Sequence, residues 1–243
     1  MQTKDKLCAA AISALFIIFA AYPAAVLVGR WYFGVKVSLY FPMICAAGLL
    51  GLAAAGAVIC AKCSPELTIK FKVLAAALPT LAVINWALFF ELAYELEMIP
   101  CALLFLMLFA CVVIAFIILL GAVKEKAVRA FGLIVPGLAI LPLLLFSFIA
   151  VFFGTMGALT TVEREYSPDM TKYAEIIDSD QGATGGSTLV YAYRNVEGSF
   201  LVFRWEDIPQ EVYSGRWGEF NDMKMEWKDN TTLVINGREY RVR

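Results

Sequence analysis

The 243-residue chain contains no histidine. That absence removes Ser-His-Asp and Cys-His catalysis together with His-ligated zinc and haem, and it leaves an enzyme only carboxylate, Lys, Tyr or Ser chemistry. Cysteine is missing from the carboxyl-terminal half: all six, Cys8, Cys45, Cys60, Cys63, Cys101 and Cys111, lie in or beside apolar runs. The tail therefore has no disulfide and must be held by its own core. Cys60 and Cys63 form a lone C-x-x-C with no His and no second Cys pair to complete a ligand set. Two small residues at a helix end account for it, and no metal or other cofactor is expected. Charge is absent from five stretches, residues 7–29, 37–61, 73–90, 101–123 and 130–162.

Those stretches are long enough to define an architecture. A hydrocarbon core of roughly 30 Å needs about 20 helical residues, so the third run, at 18, is near the minimum. The fifth, at 33, is too long for the core even when tilted and is expected to leave it near Gly154 or Gly157. With a mean hydropathy of +0.74, a 26.8 kDa globule lacks the interior to hide five such helices. The fold class expected is a membrane all-α bundle of five transmembrane helices, residues 1–157, followed by a small antiparallel all-β domain, residues 158–243. Lys4 and Lys6 before an apolar stretch also fit a cleaved signal peptide, but the run is longer than a usual apolar region and Tyr22 and Pro23 spoil a small-x-small site.

Orientation follows from the short loops. Lys4, Lys6, Lys62, Lys70, Lys72, Lys124, Lys126 and Arg129 fall on one side of an alternating path, against Arg30 and Lys36 on the other. The excess places the amino terminus in the cytoplasm and the tail outside a cell membrane. From Glu163 onward the tail carries 10 basic and 15 acidic residues, a net of −5. With no basic stripe there, nucleic acid is not an expected partner; the lipid bilayer and an envelope or membrane protein partner are.

Polar residues inside the runs are few. Glu91 and Glu95 share a helix face, but Glu91 comes after about 27 Å of helix from Val73, which favours a solvated rim pair over an ion or proton relay. Asn85 is deeper and suits an interhelical hydrogen bond. Pro79, Pro136 and Pro142 allow kinks or broken helices around a substrate. Ala47, Gly51 and Ala55 form a small-xxx-small face for close packing in the bundle or to a partner, and Trp31, Tyr32 and Tyr40 stand where an outer aromatic belt belongs.

The tail reads as β. Residues 173–178, 188–194, 200–205, 223–227, 232–235 and 239–242 are rich in β-branched and aromatic types and are separated by turn signals, of which Asn236-Gly237 is the sharpest. Ile176, Val190, Phe200, Val202, Trp227, Leu233 and Ile235 are the expected core, and Trp205, Tyr213 and Trp217 are also assigned to it rather than to a binding face. Asn230-Thr231-Thr232 matches a glycosylation sequon that equally describes a turn. Asp178-Ser179-Asp180-Gln181-Gly182 looks like the start of a calcium loop but has Leu189 where the last acidic ligand belongs, so a structural hairpin is favoured. Asp178, Asp180, Glu91 and Glu95 are the candidates for ligand contact; no catalytic residue is assigned.

Tyr166-Ser167-Pro168-Asp169, the segment from Ile176 to Gly182, and Glu226-Trp227-Lys228-Asp229 followed by Leu233-Val234-Ile235-Asn236-Gly237 together resemble the outer domain of uncharacterised membrane proteins of Gram-positive bacteria. The resemblance covers about 75 residues of the tail and none of the helices. It implies an envelope location and a small β domain, and it carries no activity. Met170-Thr171 departs from the Gly-Lys expected after Ser-Pro-Asp. Three functions remain open: an outer domain that binds a partner or envelope component, a transporter or channel subunit, and a carboxylate-based outer enzyme using Asp178 and Asp180.

Overall fold

The computed structural model describes residues 3–63, 67–93, 96, 98–153, 158–180, 182 and 185–243, without the side chains of Cys63, Glu91, Ala93, Phe153 and Ala158. Five long apolar helices are followed by a separate antiparallel β region. The chain divides into two compact units, Met1–Val28 with Leu39–Gly154, and Gly29–Ser38 with Thr155–Arg243.

The first unit comprises α1 (Thr3–Val28), α2 (Pro42–Cys63), α3 (Ile69–Ala93), α4 (Met98–Ala122) and α5 (Lys126–Phe153), all long and apolar enough to cross a membrane. The α4 helix buries Cys101, Leu104, Leu108, Cys111, Val112, Ala115, Ile118 and Leu119, the spacing of a single helix face. The α5 helix is turned inside out. Phe131, Ile134, Leu138, Leu141, Leu145, Phe148 and Phe152 are exposed at helical spacing, while Gly132, Pro136 and Ser147 face inward. Small residues inside let backbones approach: a Cβ at Gly132 would stand 2.9 Å from the Ala76 carbonyl oxygen of α3.

Two polar side chains inside the bundle donate across it. Asn85 Nδ2 donates to the Phe19 carbonyl of α1 at 2.7 Å, the interhelical bond expected of it, and Trp86 Nε1 donates to Ser147 Oγ of α5 at 3.0 Å. Lys72, near the start of α3, pairs with Glu125, and Arg129 donates to the Leu120 and Val123 carbonyls at the end of α4. The Lys72–Glu125 pair joins the start of α3 to the α4–α5 connection, and Arg129 closes that connection on itself. Cys60 Sγ lies 3.2 Å from Cys8 Sγ.

Several expectations for the helices are corrected. Pro79, Pro136 and Pro142 sit inside unbroken helices, so neither α3 nor α5 is discontinuous. The small face Ala47, Gly51, Ala55 is exposed and so does not pack within the bundle, where α2 instead uses Ala46, Ala53, Gly56 and Cys60; its exposure is compatible with packing to a partner. Nor does the second helix begin at Val37. Residues Val35–Leu39 form a strand, β1, whose apolar-polar alternation suits a sheet, and the helix starts at Pro42, where a missing N–H costs nothing. The fifth helix ends at Phe153; Gly154 and Gly157 lie outside the described residues.

In the second unit, β2 (Ala158–Tyr166), β3 (Lys172–Asp180), β4 (Gly186–Arg194) and β7 (Gln210–Arg216) form one sheet in that order. A second sheet contains β8 (Met225–Trp227), β9 (Thr232–Ile235) and β10 (Arg238–Arg241), and a third has the order β1-β6-β5, with β5 at Gly198–Phe200 and β6 at Phe203–Asp207. Ala174 and Ile176 on β3 stand opposite Ala192 and Val190 on β4, and this face packs with Met225, Leu233 and Ile235 of the second sheet into one core. The Asn236-Gly237 turn forms as expected: both residues have positive φ, 50° and 78°, and Ile235 pairs with Arg238 across a two-residue loop.

The expected strand over residues 200–205 is interrupted: Phe200 ends β5, Leu201 and Val202 form the turn, and residues 203–205 are strand in β6. Phe200 and Val202 are therefore not core; they are 67% and 40% exposed. Trp217 is also exposed and Trp205 is half-buried, whereas Tyr213 and Trp227, half-buried too, pack against the core as expected, with Trp227 Nε1 donating to the Glu165 carbonyl at 3.1 Å. The strands β1, β2 and β7 lie outside the segments expected to be strand.

Candidate functional site

The period of two in β3 separates its side chains into the core face already described and a second face of Tyr173, Glu175 and Ile177, all buried. On that face Tyr166, Tyr173 and Tyr193 come from three neighbouring strands, and the Tyr173 and Tyr193 rings stack at 4.8 Å with 10° between planes. Arg164 lies over the Tyr173 ring at 4.7 Å and forms an ion pair with Glu175 at 2.6 Å. The Tyr166 hydroxyl and then Glu175 raise the Arg164 pKa further, so the guanidinium is permanently charged. Burial, and after it Glu197 and Glu175, push the Tyr173 phenol up to about 12.

At the end of β4 the chain builds a clamp. Asp207, 7% exposed, accepts from the Arg194 main-chain N–H at 2.7 Å with one oxygen and from Arg194 Nε and Nη2 at 2.8 and 2.5 Å with the other. Arg194 Nη2 also donates to the Gly34 carbonyl at 2.8 Å, fastening the start of β1. Hydrogen bonding to Asp207 raises the Arg194 pKa. Held on both sides, this guanidinium cannot swing, yet its side chain is 44% exposed.

A cavity of about 420 Å³ opens here, lined by Arg194 and Asp207, the apolar Ile208, Pro209 and Val242, and Tyr193 of the aromatic face. Gln210 braces the wall. Its Oε1 accepts from the Arg243 N–H at 2.9 Å and its Nε2 donates to the Arg241 carbonyl at 3.3 Å. Both oxygens of Asp207 accept hydrogen bonds from Arg194, so this carboxylate positions that side chain. The cavity sets the fixed Arg194, with Arg243 and Gln210 also in its lining, beside apolar Ile208, Pro209 and Val242, which suits recognition of an anionic or carbonyl-rich group.

Asp178 and Asp180, the candidates from the sequence, are elsewhere. Asp178 Oδ1 accepts from Trp217 Nε1, just past β7, at 3.1 Å, and Asp180 Oδ1 from the Gly182 N–H at 2.7 Å. In register, Asp178 pairs with Thr188 and the cavity begins four residues further along β4 at Ala192, about 14 Å away. Among the described residues no three His, Cys, Asp or Glu side chains are grouped to hold a metal ion. Glu95 and the side chain of Glu91 lie outside the described residues. Sequence reading missed the clamp because Arg194 and Asp207 are 13 positions apart and no motif links them.

Compared with known proteins, the chain matches no family model, no curated protein and no solved structure.

Proposed function

We propose that the chain is a multi-pass cell-membrane protein, amino terminus in the cytoplasm, whose outer β unit binds a partner protein or envelope component while the five helices anchor it. The observation that carries the binding reading is Arg194: a half-exposed guanidinium fixed by Asp207 and Gly34 at a cavity with apolar walls. The exposed apolar stripe of α5, with its small residues turned inward, supports membrane insertion. The loop charges support the orientation, and the resemblance of the tail to outer domains of Gram-positive membrane proteins supports an envelope setting.

A photo-crosslinking residue at Ile208 in native membranes tests the binding reading. One defined adduct is expected, absent from a control at Glu226 and lost on Arg194→Ala. No adduct, or the same adduct at Glu226, overturns the reading. For topology, Asp222→Cys in a cysteine-free background labels with an impermeant thiol reagent on intact cells and Lys126→Cys does not; the opposite pattern reverses the orientation.

One observation favours a transporter or channel subunit as a second reading. The Asn85 side chain is buried in the bundle, and its Oδ1 has no hydrogen-bond partner there. A buried acceptor left open is costly in a bilayer and suits a passing cation or donor. Asn85→Leu abolishes uptake or conductance under this reading and leaves crosslinking at Ile208 intact.

A further inference from the structure

The hairpin β5–β6 ends in a two-residue loop, Leu201-Val202, between the paired Phe200 and Phe203. Its tip is apolar and bare: Phe200 is 67%, Leu201 80% and Val202 40% exposed. Leu201 holds φ at 56°, a left-handed position that hairpins facing water fill with Gly, Asn or Asp. A branched aliphatic residue there is strained and gains nothing from water. Three successive exposed apolar side chains at a turn are unfavourable in a soluble protein unless something covers them.

The third sheet indicates what that is. Arg204 Nε donates to Ser38 Oγ at 2.7 Å, and Lys36 Nζ stands 3.6 Å from Glu206. As numbers rise along β1 they fall along β6, so the strands are antiparallel and the hairpin tip stands at the Ser38 end of its sheet. From Ser38 the chain passes through Leu39 and two exposed aromatics, Tyr40 and Phe41, to Pro42, the first residue of α2. Covalent geometry alone keeps Ser38 within about 14 Å of Pro42. If α2 enters the bilayer at its first residue, the lipid interface lies within about that distance of the Ser38 end of the sheet, the end that carries the tip.

We infer that Phe200, Leu201 and Val202 insert into the outer interface of the bilayer, so that the third sheet is a lipid-docking element of the outer unit. The inference rests on the membrane reading proposed above. Lipid gives the tip the apolar surroundings that its three side chains call for, and interfacial Tyr40 and Phe41 mark the same depth.

The test uses the full chain in phosphatidylcholine vesicles, with a polarity-sensitive fluorophore on a single cysteine and lipids brominated at defined acyl positions as quenchers. Leu201→Cys and, separately, Val202→Cys are expected to give blue-shifted emission that the shallow brominated lipids quench, while Asp222→Cys stays unquenched. Phe148→Cys on the exposed face of α5 serves as the gauge of insertion. Quenching at Phe148→Cys without quenching at either tip position overturns the hairpin inference and leaves the membrane reading standing. Absence of quenching at all of them overturns both. A blue-shifted but unquenched tip means that protein covers it, and also overturns the inference.

Discussion

The main-chain N–H of Asp169 donates to the side-chain carbonyl of Asn230 at 3.1 Å, and this bond joins two turns of the same design. In each, an aspartate Oδ1 accepts from both the N–H and the hydroxyl of the threonine two residues on: Thr171 for Asp169, at 3.0 and 2.9 Å, and Thr231 for Asp229, at 2.7 and 2.9 Å. One turn connects β2 to β3 and the other β8 to β9, so the bond ties the edges of the two sheets that enclose the core. The sequon asparagine is thus a structural acceptor. Asn230→Ala is expected to cost about 0.5–1 kcal/mol in a thermal melt.

Acid weakens both turns. The Thr171 N–H, and next Ser167, hold the Asp169 carboxyl below its usual range, and the Thr231 N–H and hydroxyl do the same for Asp229. A depressed folded pKa gives stability that is present above the unfolded value, near 4, and is lost as pH falls through the folded one. Denaturant midpoints should fall below about pH 4, and Asp169→Asn with Asp229→Asn should flatten that fall.

Met170 occupies the same turn with φ at 58°. A side chain costs roughly 1 kcal/mol there, partly offset because glycine is more disordered when unfolded. Met170→Gly should therefore stabilise the protein by about 0.5 kcal/mol, read as a raised melting temperature.

Removing Asp207 leaves Arg194 without its fork and its main-chain N–H without an acceptor. Because that guanidinium is partly solvated, Asp207→Ala should cost about 1–3 kcal/mol rather than the full penalty of a buried pair. Arg194→Lys keeps the charge but cannot reproduce the fork, and a melting curve should place it between the two.

Alkali acts on the stacked tyrosines. A phenol whose folded pKa is raised contributes stability that is complete below its unfolded value, near 10, and is lost as pH rises through the folded value, about 12 for Tyr173. Burial raises Tyr193 in the same direction. Unfolding midpoints should drop between pH 10 and 12, and Tyr173→Phe should reduce the drop.

The segment Gly29–Ser38 belongs to the second unit. A polypeptide of residues 155–243 should melt at a lower temperature alone than with a peptide of residues 29–38 added. The rise should grow with peptide concentration, as for any ligand that binds only the folded form. An unchanged melt at millimolar peptide would remove β1 from the account of stability.

The sequence by itself determined the features whose causes are local. A charge-free, strongly apolar run of some 20 residues carries the signature of a spanning helix, and Asn236-Gly237 sets its own turn through two backbone angles. Neither needs a partner. In the helices, apolar residues on every face hid which face packs, so Ala47-Gly51-Ala55 proved external and the large side chains of α5 proved to point outward. Phe200 and Val202 look like core residues in any short window, and only the pairing of Phe200 with Phe203 turns them out at a tip. The candidate site was the least legible: Arg194 meets Gly34 across 160 positions and Asp207 across 13. Contacts of that range exist only once the sheets have formed, because it is strand register, and not spacing in the chain, that brings a cation, its carboxylate and a carbonyl from between two helices to one point.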